Sequence, residues 1–190
     1  MEKTGFGASI SVEVVKGVKQ NALVRSIWNF ECHDKDGNLK WQEKVSNIVT
    51  NEGLAKLLNV MFMGGTQILD DDWYVAITED GSSATSASTY AVPIVSECTG
   101  YNELTRPIYV GSQTNQQVDN ISNKAVFTMS DPYDLLGGIL VGGGTDGDVK
   151  GDAAGGGTLY CSVDFAELKP VVATDVVSIA ITLTAADIPA

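Results

Sequence analysis

Residues 22–45 read A-L-V-R-S-I-W-N-F-E-C-H-D-K-D-G-N-L-K-W-Q-E-K-V, and this stretch decides the fold class. From Ala22 to His33 two parities alternate. Val24, Ser26, Trp28, Phe30 and Cys32 form one, and Leu23, Arg25, Ile27, Asn29 and Glu31 form the other. Successive strand side chains point to opposite faces, so the more apolar first set is assigned to a core. His33 to Asn38 carries Asp36-Gly37, the dipeptide that supplies the positive φ of a hairpin turn. Leu39, Trp41, Glu43 and Val45 continue as the return strand. A long hairpin with one apolar face predicts a mainly β protein.

Working outward, Ser9 to Val15 alternates briefly and reads as a strand, with residues 1–8 as an N-terminal arm. After the hairpin, Thr50 and Asn51 suit a helix N-cap. Leu54, Leu57, Leu58, Met61 and Phe62 follow at helical spacing, and Gly64-Gly65 closes the element. This predicts one short amphipathic helix over about 51–63 whose single apolar stripe packs on a sheet. The run Trp73 to Thr78 is strongly β-prone, and further strands are expected at 108–111, 124–130, 136–141, 158–166 and 175–184. Residues 80–90 read as a surface loop, and 91–107 as a helical turn or an irregular crossing. The whole predicts a single domain: a β-sandwich or jelly-roll-like barrel of about nine strands. No internal repeat suggests a solenoid or propeller.

Gly142 to Gly157 stands apart, because eight of its sixteen residues are glycine. It reads as a long mobile loop, or an arm ordered by a partner, whose removal (143–156) should leave the fold intact. Gly142, Gly143, Gly144, Asp146, Asp148, Lys150, Gly155, Gly156 and Gly157 are therefore the candidate partner-contact residues.

The charge is polarised along the chain. The formal net charge is −12, from 24 acidic and 12 basic residues. Residues 1–56 hold eight basic and seven acidic residues, whereas 57–190 hold only Arg106, Lys124, Lys150 and Lys169 against seventeen carboxylates. A solvated acidic surface explains this, and so does head-to-tail complementarity between copies. The acidity argues against a nucleic-acid partner, which needs clustered Lys and Arg. No apolar stretch approaches membrane-spanning length, and no signal-peptide pattern follows Met1, so synthesis and folding in a cytoplasm are expected. Cys32, Cys98 and Cys161 are widely spaced and odd in number, as small buried hydrophobes would be.

The motifs for chemistry are poor. Lys150 precedes Gly151 rather than Ser or Thr, so the glycine-rich segment lacks a phosphate-loop pattern. Asp34 to Asn38 alternates oxygen ligands, but its Gly comes too early for a helical calcium loop and a turn explains it. Asp146, Asp148 and Asp152, or Asp70 to Asp72, could hold a weak oxygen site, with solvated carboxylates as the plainer reading. His33 is the only histidine, and adjacent Cys32 points to the opposite face of a strand. No G-x-S-x-G nucleophile elbow is present. With one histidine and two arginines, the sequence predicts neither an enzyme nor a cofactor protein.

Several segments in order carry a family resemblance over roughly residues 24–184. Trp28 precedes the D-K-D-G-N-L-K-W hairpin (34–41). Then come N-I-V-T-N-E-G-L (47–54), the helix L-L-N-V-M-F (57–62), and W-Y-V-A-I (73–77). Y-N-E-L-T-R-P (101–107) and G-G-T-L-Y (156–160) follow, with a closing strand of Val, Ile and Thr. This set resembles small virion structural proteins of tailed bacteriophages, the V-T-N-x-G-L element leading into the helix being its best marker. The glycine-rich segment is longer than that group leads one to expect. The resemblance implies a repeated, non-enzymatic virion component assembled in the host cytoplasm. Its leading form is a head decoration (cement) protein contacting the major capsid protein and other copies of itself as a homo-oligomer. The alternative is a tail or head–tail connector component, such as a tail-tube or fibre-associated subunit. A carbohydrate-binding module would instead expose Trp28, Trp41 and Trp73.

Overall fold

The structure, a computed structural model, describes residues 21–79, 81–92, 95–151 and 155–188. The strand expected at 9–15 and the arm at 1–8 lie outside the described residues. In chain order the elements are β1 (Asn21–His33), β2 (Leu39–Ser46), β3 (Ile48–Val49), α1 (Asn51–Phe62) and β4 (Trp73–Glu79). They continue with β5 (Ser112–Thr114), β6 (Gln117–Asp119), β7 (Ala125–Thr128), β8 (Tyr133–Gly142), β9 (Thr158–Val171) and β10 (Val176–Ile188).

The hairpin forms as its pattern requires. β1 and β2 pair antiparallel with Phe30 opposite Glu43, and Gly37 takes φ +83° in the turn. Asp34 Oδ1 accepts from the backbone N–H groups of Asp36 and Asn38, closing the turn from within. These donors, with the Asn38 side chain foremost, hold the Asp34 carboxyl below its usual range.

Two antiparallel sheets result. One runs β2-β1-β10-β6-β5, with β7 also on β10; the other runs β3-β9-β8-β4. They pack face to face as a β-sandwich. Ser26, Trp28, Phe30 and Cys32 are buried, confirming the assigned core parity. The Phe30 ring meets Phe165 of β9 edge-on at 4.7 Å, and Gly138 of β8 lies beneath Trp28 and Phe30. Trp28 Nε1 donates to Ser26 Oγ at 2.7 Å, so the buried indole keeps its hydrogen bond.

Asn120 bridges the gap between β6 and β7 along β10. It accepts from Ile181 N and donates to the Ile179 carbonyl, continuing the ladder through a side chain. The outer edge of β4 is capped by irregular chain rather than by a strand. Cys98 N donates to the Ile77 carbonyl, and Tyr109 N to that of Trp73. The strand expected at 108–111 is accordingly a single bridge, Tyr74 to Ile108, because the chain leaves this edge at once for the β5–β6 hairpin. The described residues of 91–107 form the irregular crossing. Asn102 N reaches the Thr128 carbonyl of β7, so the segment closes the sandwich from one sheet to the other.

The helix departs from its expected packing. Gly53 is its buried residue, and Lys56, Leu57 and Val60 are half-buried on the same side. Of the stripe assigned to the core, Leu57 alone lies on that side, and Leu54, Leu58, Met61 and Phe62 face outward. The first turn sets this rotation. Thr50 Oγ1 accepts from Gly53 N at 3.0 Å as an N-cap and donates to the Leu159 carbonyl. Glu52 Oε2 accepts from Tyr90 N at 2.8 Å and Leu159 N at 2.6 Å.

Candidate functional site

Two regions could serve a site: the glycine-rich segment chosen from the sequence, and the face carrying α1. In the first, most of the chain folds back on the body. Arg106 is 2% exposed and forms the anchor. Its Nε and Nη2 donate to the two oxygens of Glu97 at 3.0 and 2.6 Å. Nη1 donates to the Gly147 carbonyl at 2.8 Å and to the Tyr90 hydroxyl at 3.2 Å. Burial alone would lower the Arg106 pKa, but the hydrogen bond and charge of Glu97 hold it above its ordinary value.

The backbone adds further ties. Arg106 N donates to the Asp148 carbonyl, Gly143 N to that of Asp72, and Thr145 N to that of Gly155. Lys150 Nζ donates to the Tyr101 carbonyl at 2.6 Å and sits 3.8 Å from the Tyr101 ring centroid.

The expectation of a freely mobile loop is therefore corrected: enough backbone acceptors meet buried donors to pack it. Gly142, Gly143 and Gly147 are buried, and Asp148, Lys150, Gly155 and Gly157 are half-buried. Gly144, Asp146 and Gly156 are exposed and remain available to a partner. Removing residues 143–156 would strip the Gly147 and Asp148 carbonyls from Arg106, which argues against the expectation that the fold would be unaffected. The sequence reading missed Arg106, Glu97 and Tyr90 as a unit. A lone Arg in an acidic half of the chain was the available signal.

Members of both carboxylate groups considered for calcium act on Tyr74. Burial first, then the charges of Asp72, Asp148 and Asp71, raise the pKa of Tyr74. Among the described residues, no group of three or more His, Cys, Asp or Glu could hold a metal ion. Asp152 lies outside them.

Catalytic groupings fare no better. Cys32, Cys98 and Cys161 are buried, as expected of small hydrophobes, and none is in a disulfide among the described residues. Burial pushes the Cys161 thiol up to about 12 and those of Cys32 and Cys98 up to about 11, so none is a ready thiolate. Trp28 belongs to the core, Trp41 packs on Phe165 and donates to the Pro170 carbonyl, and Trp73 packs on Tyr160. They do not form one exposed platform.

The second region is apolar and open. Beside α1 runs a groove of about 650 Å³ whose lining includes Leu57, Val60, Trp73, Tyr109, Val118 and Leu183. It is the mouth of the sandwich, since Val118 and Leu183 come from one sheet and Trp73 and Tyr160 from the other. Away from the groove lining, α1 carries exposed apolar side chains, Phe62 being 72% exposed and Met63, its C-cap, 78%. Leu58, Met61 and Leu69 extend this surface. Exposed large apolar side chains grouped on one element make this face a candidate interaction surface. The signal for it lay in the sequence. The run from Leu54 to Met63 holds more large apolar residues than one inward stripe requires.

The chain matches no protein-family model, and no curated protein is significantly similar to it. Among the described residues, no helix is long and apolar enough to cross a membrane.

Proposed function

We propose that this chain is a non-enzymatic virion structural protein of a tailed bacteriophage, most specifically a head decoration (cement) subunit. In this reading it binds the major capsid protein and further copies of itself. The outward apolar side of α1 carries the proposal. A surface of Leu58, Met61, Phe62 and Met63 is costly to leave in water and is stabilised by burial against another subunit. An acidic body of net charge −12 keeps the free subunit soluble until that burial occurs. Repetition over a lattice then turns many small interfaces into a large combined stabilisation.

A tail or head–tail connector subunit is the second reading, favoured by one further observation. Asn21–Leu23 and Ala186–Ile188 pair with each other beyond the last residue of β6's ladder, as a two-stranded ribbon suited to bridging neighbours in a ring.

Mixing purified protein with expanded empty capsids separates the readings. A cement protein co-sediments with the capsids and raises their disruption temperature, and Phe62→Ser weakens both effects. Absence from the capsid pellet, with assembly into rings or tubes instead, overturns the head reading in favour of the tail.

A further inference from the structure

We infer that Tyr90 is a clasp that makes the first turn of α1 and the strap of residues 143–151 open and close as one unit. Tyr90 is 3% exposed and lies in a bend, outside the helix and the described strands. Its two ends hold different elements. The backbone N–H donates to Glu52 Oε2 at 2.8 Å, and the same oxygen accepts from Leu159 N at 2.6 Å. Ser86 of the same loop accepts at its carbonyl from Asn51 N at 2.8 Å, so the loop grips the first two residues of α1. At the other end, the Tyr90 hydroxyl accepts from Arg106 Nη1 at 3.2 Å and donates to the Asp146 carbonyl at 3.5 Å. Arg106 Nη1 also holds the Gly147 carbonyl, and Arg106 N holds that of Asp148. Tyr90 and Arg106 thus join the helix to three consecutive residues of the strap.

Packing tightens the joint. A Cβ at Gly157 would stand 2.8 Å from the Tyr90 ring and 2.9 Å from the Gly143 carbonyl oxygen, so the ring sits where the two ends of the glycine-rich segment meet. Cooperativity follows from burial. These contacts run between side chains and backbone rather than along a ladder, so they can break without unfolding either sheet. Breaking them at one end only leaves a buried donor short of an acceptor, which is costly. Opening both ends together lets water reach all of these groups at once. Partial release is therefore the unfavourable state.

In consequence the helix α1 and the exposed strap residues Gly144 and Asp146 are energetically linked. A partner that stabilises the first turn of α1 also holds the strap down, and one that binds the raised strap loosens the helix. Only the identity of such a partner rests on the proposed function. The coupling belongs to the free subunit, so either can fail alone.

Native-state hydrogen exchange on the purified protein, without capsids, tests it. The amides of Tyr90 and Leu159 report on the helix end, and those of Arg106 and Val149 on the strap end. In low denaturant all four should share one opening free energy and one denaturant slope, both below those of the β1 and β10 amides. Tyr90→Phe removes only the hydroxyl at the strap end. It should nonetheless speed exchange about tenfold at position 90 and Leu159 as well as at Arg106 and Val149. Glu52→Gln acts from the opposite end and should accelerate Arg106 and Val149 in turn, with β1 and β10 unchanged. Acceleration confined to the altered end or absent from both overturns the inference. So do separate opening free energies for the two pairs of amides, or exchange of all four only through global unfolding.

Discussion

Gly53, in the first turn of α1, lies against the backbone of Tyr160 in β9. A Cβ at Gly53 would stand 2.6 Å from the Tyr160 carbonyl oxygen and 2.9 Å from its Cα. Neither atom can move without shifting β9. Together with the Thr50 cap and the Glu52 contacts, this approach fixes how α1 is rotated. Gly53→Ala should therefore lift the helix from the sheet and cost about 1–3 kcal/mol, as overpacking of a tight contact does. Chemical denaturation of the two proteins measures it, and an unaltered midpoint would show that the contact does not set the helix position.

The exposed side of α1 should behave in the opposite way. Met61 and Phe62 touch solvent over most of their surface, so Met61→Ser with Phe62→Ser should change folding stability by no more than about 0.5 kcal/mol per site. Association with copies or with capsids should fall at least tenfold. Sedimentation and thermal melting of the same sample separate the effects. A large loss of stability would mean that these side chains belong to the core after all.

Arg106 makes a third case. Replacing it with Met removes the cation paired with Glu97, whose side chain is 8% exposed, and leaves that carboxylate inside the protein with the Gly151 N–H but without its counter-charge. Breaking one side of a buried pair costs about 3–5 kcal/mol. Removing both charges, as Arg106→Met with Glu97→Leu, should recover part of that loss, because no charge is then left buried. Urea midpoints across the four proteins of the cycle test this, and simple additivity would contradict it.

Alkaline conditions probe the buried thiols. The unfolded thiol titrates near 9.0, while burial holds Cys161 at about 12 and Cys32 and Cys98 at about 11. The folded state thus retains protons that the unfolded state releases. The stabilisation is complete below about pH 9 and is lost as pH rises toward the folded values. Tyr160, raised by burial to about 12, adds to the same trend. Urea midpoints should fall steadily from pH 9 to 11, and folded protein at pH 8 should not react with a thiol reagent. A rising midpoint over that window would contradict the assignment.

Much of the fold was legible because strand alternation is local. The parity of Trp28, Phe30 and Cys32, the Asp36-Gly37 turn and the helix boundaries each depend on residues within a few positions of one another. The strand expected at 108–111 shows the limit of this. Tyr109 is buried between exposed Ile108 and Val110, so the alternation is present, but only one bridge forms before the chain turns away. Pairing partners distant in sequence decide strand length, and local pattern contains no record of them.

The site was less legible for the same reason. Glycine content pointed to residues 142–157 as open chain. What holds Gly147 and Asp148 of that segment against the body is Arg106, some forty positions earlier, whose guanidinium needs backbone acceptors once it is buried with Glu97.

By itself, the sequence determined a mainly β chain, one short helix, three buried cysteines and a negative charge gathered after residue 56, all properties of composition and short-range period. Only the tertiary structure decided which side of that helix meets water. Amphipathic periodicity defines an apolar stripe, but its direction depends on anchors elsewhere in space. Here the close approach of Gly53 to Tyr160 and the hold of Glu52 on Leu159 and Tyr90 outweigh the stripe and turn it outward.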